Sequence, residues 1–262
     1  MTETAWNRLS AESLRAMAAR DAIVLLPVAS TEQHGPHLPT GVDDFLCSEV
    51  CRRTAVELAL THPVVVAPTV WCGLADHHVP FGGTFTLSLS TYHAVLRDLC
   101  RSILNAGFRR IVIVNGHGGN IQALATLTGE LTRELNAPIA TTTYFMEGRE
   151  VMTEVLEDQE GVMHACEAET SMMMAVHPGL VDAARLDAAF GPSFDIMGSL
   201  VPSLKMFRSF ADITTSGVAG DARKASASKG EKLLAGCAAA LAARLRAGEP
   251  WSAGQNPPGA AR

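Results

Sequence analysis

The sequence predicts an α/β protein built around a mostly parallel central sheet, and three observations carry that expectation. Short apolar runs rich in β-branched residues alternate with longer stretches of helical periodicity, the pattern of βαβ units. Two of those runs pass directly into Gly-rich turns crowded with His, Asn and carboxylates, and the carboxyl ends of parallel strands are where such folds place ligands. The 262 residues are 47% hydrophobic and only 18% charged, ample for a sizeable core. With no internal repeat or change of composition, residues 1–262 are expected to form a single domain.

Ile23 to Val28 reads as the first strand, followed by a helix from Phe45 to Leu60, a strand from Val64 to Val70, a helix from Tyr92 to Ala106 and a strand from Arg110 to Val114. A helix from Ile121 to Leu135 and a strand from Ile139 to Phe145 continue the alternation. Regularity then declines. Helices are expected over Met152 to Asp158, over Cys166 to His177 with a stop at Pro178, and over the Ala/Leu-rich Lys232 to Arg246. Asp182 to Gly220 mixes Gly, Pro, Ser and Phe without periodicity and predicts long loops of the kind that shape a substrate pocket or a subunit contact. The tail from about 252 to 262, with Pro257-Pro258-Gly259, should be frayed.

Charge and composition exclude several function classes. A net charge of −6 with scattered Lys and Arg argues against nucleic acid and anionic membrane as partners. The polar start from Met1 to Ala11 lacks the profile of a signal peptide, and no apolar run approaches the ~20 residues of a membrane span, so a soluble, cytoplasmic protein is expected. Six dispersed cysteines, with no CxxC pair, predict buried free thiols rather than disulfides.

Three clusters carry candidate chemistry. The first is Ser30-Thr31-Glu32-Gln33-His34-Gly35-Pro36-His37-Leu38-Pro39 with Asp43-Asp44. Glu32 and His34, two apart on extended chain, aim the same way; Asp43 can swing back towards them or cap the following helix, a role for which Asp44 competes. The second cluster, Asn115-Gly116-His117-Gly118-Gly119-Asn120, follows a strand and opens a helix. There His117 is the side chain suited to a transition metal, and Gly118 and Gly119 let backbone pass close to a substrate; a phosphate cradle is the alternative, without the GxGxxG order or a P-loop Lys. The third runs from His164 through Glu167 and Glu169 to Ser171. On a helix His164 and Glu167 would share a face, as an exposed ion pair or, if buried, as metal ligands. Together Glu32, His34, Asp43, His117 and Glu167 make a mixed nitrogen and oxygen set suited to zinc, manganese or ferrous iron. Five ligands suit two divalent ions, with Asp43 as the candidate bridge.

These segments resemble the creatininase (creatinine amidohydrolase) family, in which a Ser-Thr-Glu-Gln-His-Gly-Pro-His-Leu-Pro segment with a following Asp, an Asn-Gly-His segment and a His-Ala-x-x-x-Glu-Thr-Ser segment recur in this order. Gly82-Gly83-Thr84 preceded by His78, and Ser216 to Asp221, extend the similarity over about Ile23 to Gly230. The resemblance implies a three-layer α/β/α sandwich, a metal-dependent hydrolase of non-peptide or cyclic amide C–N bonds, and a homohexamer. It also implies Glu32, His34, Asp43 and His117 as metal ligands and His164 as the acid/base residue. One position departs from the creatinine hydrolases proper, which carry Glu where this chain has Gly119; related enzymes with the Gly-Gly form include formamide deformylases and a peptide-trimming enzyme. Glu167 is the expected substitute ligand.

The function expected is therefore amide or formamide hydrolysis of a small molecule by metal-activated water, with His164 protonating the leaving nitrogen and His78, Gly118, Gly119 and Glu169 near the substrate. A metal-dependent C–C hydrolase of a cyclic keto-polyol, and a non-catalytic relic, are the rival readings.

Overall fold

The computed structural model describes residues 3–157, 159–194, 198, 203–204 and 206–254. Its sheet has four parallel strands, β1 (Ile23–Val28), β2 (Val64–Val66), β3 (Arg110–Asn115) and β4 (Ile139–Thr143), in the order β2-β1-β3-β4. β1 is buried along its whole length because it has a neighbour on each side and helices on both faces, which is why it reads as an unbroken apolar run. Pro27 is tolerated in this central strand for a local reason. Its carbonyl accepts from Val70 N–H, so its missing donor faces the side where regular β2 has already ended at Val66.

Alternate strand residues feed two cores. Val24, Leu26, Ile111 and Ile113 pack under α1 (Ala11–Ala19), α3 (Leu89–Asn105) and α4 (Ile121–Leu135). Ile23, Leu25, Val112 and Val114 pack under α2 (Val42–Leu58) and, further along the chain, α7 (Glu167–Val176) and α8 (Ala227–Arg246). The period of two along a strand thus creates the three α/β/α layers.

Boundaries depart from the sequence expectation where local chemistry intervenes. The second strand stops at Val66 rather than Val70 because Pro68 cannot extend the ladder, and Val70 returns only as an isolated bridge to Val28. The fourth stops at Thr143, passing into two short helices, α5 (Tyr144–Glu147) and α6 (Arg149–Val155). That second helix replaces the one expected over Met152 to Asp158, whose last residue lies outside the described residues, as does the expected frayed tail beyond Gly254. The C-terminal helix starts five residues early, at Ala227, because the Ser226 hydroxyl caps it by accepting from Lys229 N–H. Among the described residues, no helix is long and apolar enough to cross a membrane.

α8 approaches α7 so closely that a Cβ built on Gly230 would lie 1.9 Å from the Ser171 carbonyl oxygen. Gly230→Ala should therefore force the two helices apart and destabilise the fold by about 3 kcal/mol, read as a lower urea midpoint at unchanged slope.

Candidate metal centre

Every cluster picked out in the sequence arrives at the carboxyl edge of the sheet. Glu32 and His34 leave β1, Asp43 lies in the first turn of α2, His117 leaves β3, and His164 and Glu169 flank the start of α7. A 3-10 turn over Asp76–Phe81 adds His77 and His78. Glu32, His34, Asp43, His117, His164 and Glu169 are each at most 6% exposed, so water does not screen their charges. The helix N-termini beneath Asp43 and Glu169 favour negative charge there.

The hydrogen-bond network decides which imidazole nitrogens face inward as lone pairs. His34 Nδ1 donates to the Glu32 carbonyl at 3.1 Å, leaving Nε2 towards Asp43 Oδ1 at 3.3 Å and Glu169 Oε1 at 3.9 Å. His117 Nε2 donates to the Leu74 carbonyl at 3.1 Å, leaving Nδ1 3.0 Å from Asp43 Oδ2 and 3.2 Å from Glu32 Oε1. His164 Nε2 donates to the Gln33 carbonyl at 2.8 Å, leaving Nδ1 3.6 Å from Glu32 Oε1. In their neutral forms three lone pairs therefore oppose carboxylate oxygens, an arrangement that calls for a cation between them. A ring nitrogen committed to a backbone carbonyl is the usual support of a metal-binding imidazole.

Titration follows the same crowding. Burial disfavours the imidazolium of His34, yet Asp43, Glu169 and Glu32 outweigh it and raise the pKa to about 9; His117 is raised well above its ordinary value, burial there being outweighed by Glu32 and Asp43. Burial lifts Glu169 to about 7 and also raises Glu32, whereas Asp43, although buried, is lowered by His34 and His117. Burial first, and then His34, hold His164 well below the ordinary histidine value.

A divalent ion fits these residues. Glu32 Oε2, His34 Nε2, Asp43 Oδ2 and Glu169 Oε2 are buried without a hydrogen-bond partner, a set of orphans that a folded protein does not keep without reason. Donor atoms of Glu32, Asp43 and His117 lie within 4.8 Å of one another, as do those of His34, Asp43 and Glu169, and those of Glu32, His34 and His164. Glu32, His34 and Asp43 each belong to two of the three groups.

Glu167 does not join them, which corrects the sequence expectation. α7 begins at Glu167, whereas His164 lies before it in an antiparallel bridge to Ala219, and Ala165 turns the chain at φ 51°. The three-residue helical spacing assumed between His164 and Glu167 therefore never exists. The Glu167 carboxylate instead meets Lys229 Nζ at 2.5 Å and accepts from Glu157 N–H at 3.1 Å. Glu169, expected near the substrate, takes the inward place; the signal was available, since it is the Glu of the His-Ala-x-x-x-Glu-Thr-Ser pattern. Neither Asp43 nor Asp44 caps α2, whose N-cap residue is Gly41. His37 stays outside the cluster, with Nε2 2.7 Å from Thr170 Oγ1.

Above the donors opens a cavity of about 540 Å³, to which Gly118, Gly119 and His78 contribute. Much of its wall is apolar, with Phe145, Val162, Met163, Phe194, Phe207 and Phe210. At Gly119 a Cβ would lie 2.3 Å from the Leu74 carbonyl oxygen and 2.4 Å from His117 Nε2. The hydrogen bond that orients His117 thus closes over this position and leaves no room for a carboxylate side chain. Gln33, which holds several of these groups, was not singled out by the sequence reading; an amide between two ligands carries no compositional signal.

Comparison with known proteins agrees with this geometry. Residues 7–245 match the creatininase family model, described as creatinine amidohydrolase. The chain is 32% identical over 217 residues to the mycofactocin precursor peptide peptidase of Mycobacterium ulcerans (strain Agy99), covering 81% of this chain and 80% of that protein. It is 28% identical over 265 residues to the creatinine amidohydrolase of Pseudomonas putida, covering 93% and 95%. A solved structure described as "Creatininase Mn" superposes with a TM-score of 0.80 at 27% identity, covering 95% of this chain and all of that one.

Proposed function

Because the chain belongs to the creatininase family, we propose that it is a metal-dependent amidohydrolase cleaving the C–N bond of a non-peptide or cyclic amide or a formamide. The observation that carries the reading is the set of four orphaned, buried donor atoms grouped around Asp43. Glu32, Asp43 and His117 would hold one divalent ion and His34, Asp43 and Glu169 a second, with zinc, manganese and ferrous iron all compatible with the donors. Bound there, such ions acidify water and polarise an amide carbonyl.

The protein's own groups supply the proton traffic. His164 presents Nδ1 as a lone pair towards the cluster and is held neutral by its burial, so it accepts the proton of the attacking water. Protonated Nδ1 then delivers that proton to the leaving nitrogen, which must depart as an amine rather than an amine anion. Gln33 holds the ring in place through its carbonyl, and the aromatic wall keeps bulk water from the tetrahedral intermediate.

A second reading, hydrolysis of an amide within a peptide-derived molecule, is favoured by the cavity. Its volume of about 540 Å³ and its aromatic wall exceed what a single small lactam fills, and a 32% identical relative is a peptide peptidase. One experiment covers both readings. Protein purified without chelator should carry divalent metal, and chelation should abolish amine release from a panel of lactams, formamides and short peptides; the responding member names the substrate class. A chain with no bound transition metal and no rescue by zinc, manganese or iron would sink the proposal, and cleavage of a keto-polyol without amine release would replace the reaction.

A further inference from the structure

Four imidazoles face the donor cluster, and the hydrogen-bond network sets one of them apart. His34, His117 and His164 each donate their outer N–H to a backbone carbonyl and so turn a lone pair inward. His78 is wired the opposite way. Its outer nitrogen, Nδ1, lies 3.0 Å from Nε2 of Gln33, and that amide's orientation is fixed from both sides. Gln33 Oε1 accepts from Gly35 N–H at 2.9 Å, while Nε2 donates one hydrogen to the Gly217 carbonyl at 3.0 Å.

The second amide hydrogen has two neighbours, His78 Nδ1 and His164 Nε2, both at 3.0 Å. His164 Nε2 already carries the hydrogen it donates to the Gln33 carbonyl and cannot accept another. Gln33 therefore donates to His78 Nδ1, and the proton of a neutral His78 must sit on Nε2. That nitrogen is 3.3 Å from Glu32 Oε1. With His117 and His164 neutral, as metal binding requires, His78 Nε2 is the one of the three imidazole nitrogens around this oxygen, at 3.2, 3.3 and 3.6 Å, that carries a hydrogen.

We propose that His78 is a positioning residue of the metal centre: locked by Gln33 as the Nε2–H tautomer, it donates to Glu32 Oε1 and fixes the orientation in which that carboxylate faces the donor cluster. The inference rests on the metal reading above and adds to it, since His78 acts as a donor and not as a ligand. Several observations agree. Both side chains are buried, Glu32 at 1% and His78 at 2% exposure. Its ring is clamped 4.3 Å from the His164 ring at 25° and 4.6 Å from the Phe210 ring. A ring so placed cannot swing out to solvent, so its hydrogen bond costs little entropy.

The test is zinc titration of the metal-free chain against a chromogenic chelator, for wild type, His78→Phe and His78→Gln. Phenylalanine keeps the ring in its slot without a donor, and glutamine restores an N–H at about the reach of Nε2. His78→Phe should weaken one of the two zinc equivalents by about 10–100-fold, the range for losing a partner that orients a ligand, while the other is unchanged; His78→Gln should recover most of it. Independently, nitrogen-15 spectra of the metal-free wild type should show His78 as the Nε2–H tautomer, and Gln33→Leu should relax that preference. Zinc titration of His78→Phe indistinguishable from wild type, or an Nδ1–H tautomer in wild type, would overturn the inference and leave the amidohydrolase reading intact. If wild type takes up no zinc, manganese or iron, the metal reading itself fails and His78 has no ligand to position.

Discussion

Replacing Asp43 with alanine should abolish binding of the two proposed divalent ions and lower kcat/KM at least about a thousandfold, a loss of roughly 4 kcal/mol in transition-state stabilisation. Its two oxygens face different partners, Oδ1 towards His34 Nε2 at 3.3 Å and Oδ2 towards His117 Nδ1 at 3.0 Å, and it belongs to both groups proposed to hold an ion. No other residue does so for this pair of groups, so no other single truncation should empty both. In the metal-free chain the change removes the partner of His34 and His117, which hold the Asp43 carboxyl below its ordinary range despite its burial, and at the same time relieves its repulsion of the buried Glu32 and Glu169 carboxylates. Thermal unfolding provides the readout, because a ligand bound only to the native state raises Tm. Wild type should gain Tm on adding zinc or manganese, whereas Asp43→Ala should not respond; a variant that still binds two ions would refute the shared role.

The second large effect separates two glutamates two residues apart. Glu169→Gln should lose the ion held with His34 and Asp43 and with it most of the activity, at near-normal stability. Glu167→Gln should keep its metal and lose stability instead. The Glu167 side chain is 1% exposed and pairs with Lys229, which is 19% exposed and also bonds Glu157 and the Lys224 carbonyl. Removing one partner of a buried pair costs about 3–5 kcal/mol, and those remaining contacts reduce the loss here to about 2. For a chain of this size the corresponding drop in Tm is about 4–8 °C. Metal analysis and a melting curve on both variants decide the matter: metal loss in Glu167→Gln with none in Glu169→Gln would restore the assignment made from helical spacing.

The helical period fails at this point because α7 starts only at Glu167. Glu32 and His34 were legible as a pair because extended backbone has a fixed period of two, and both side chains do reach the same cluster. His164 and Glu167 were paired by the helical period, but the helix had not yet begun at His164. A left-handed Ala165 lies between them, and nothing in the residue type of an alanine announces a positive φ. Similarly, the ends of β2 and β4 shifted by two to four residues where a proline or a new helix took over the backbone hydrogen bonds.

His78 illustrates a different limit. The sequence places it near the substrate, but its hydrogen-bonding role depends on which way Gln33 is turned. That orientation is set by Gly35 and Gly217, residues 182 positions apart. Gly119 was noticed as a missing carboxylate; only the packed structure showed that the Leu74 carbonyl and His117 fill the space that carboxylate would need.

The sequence by itself pointed to the parallel sheet through hydrophobic periodicity, to the three layers through the family resemblance, and to most of the residues the fold gathers in the donor cluster through its strand-end turns and motifs, because these are local properties that survive in a one-dimensional pattern. Tertiary structure alone decided that Glu167 pairs with Lys229 and which nitrogen of each imidazole carries its proton. Those choices depend on hydrogen bonds and charges between groups from 2 to 131 residues apart, and a contact at 3 Å leaves no trace in the spacing of the residues that make it.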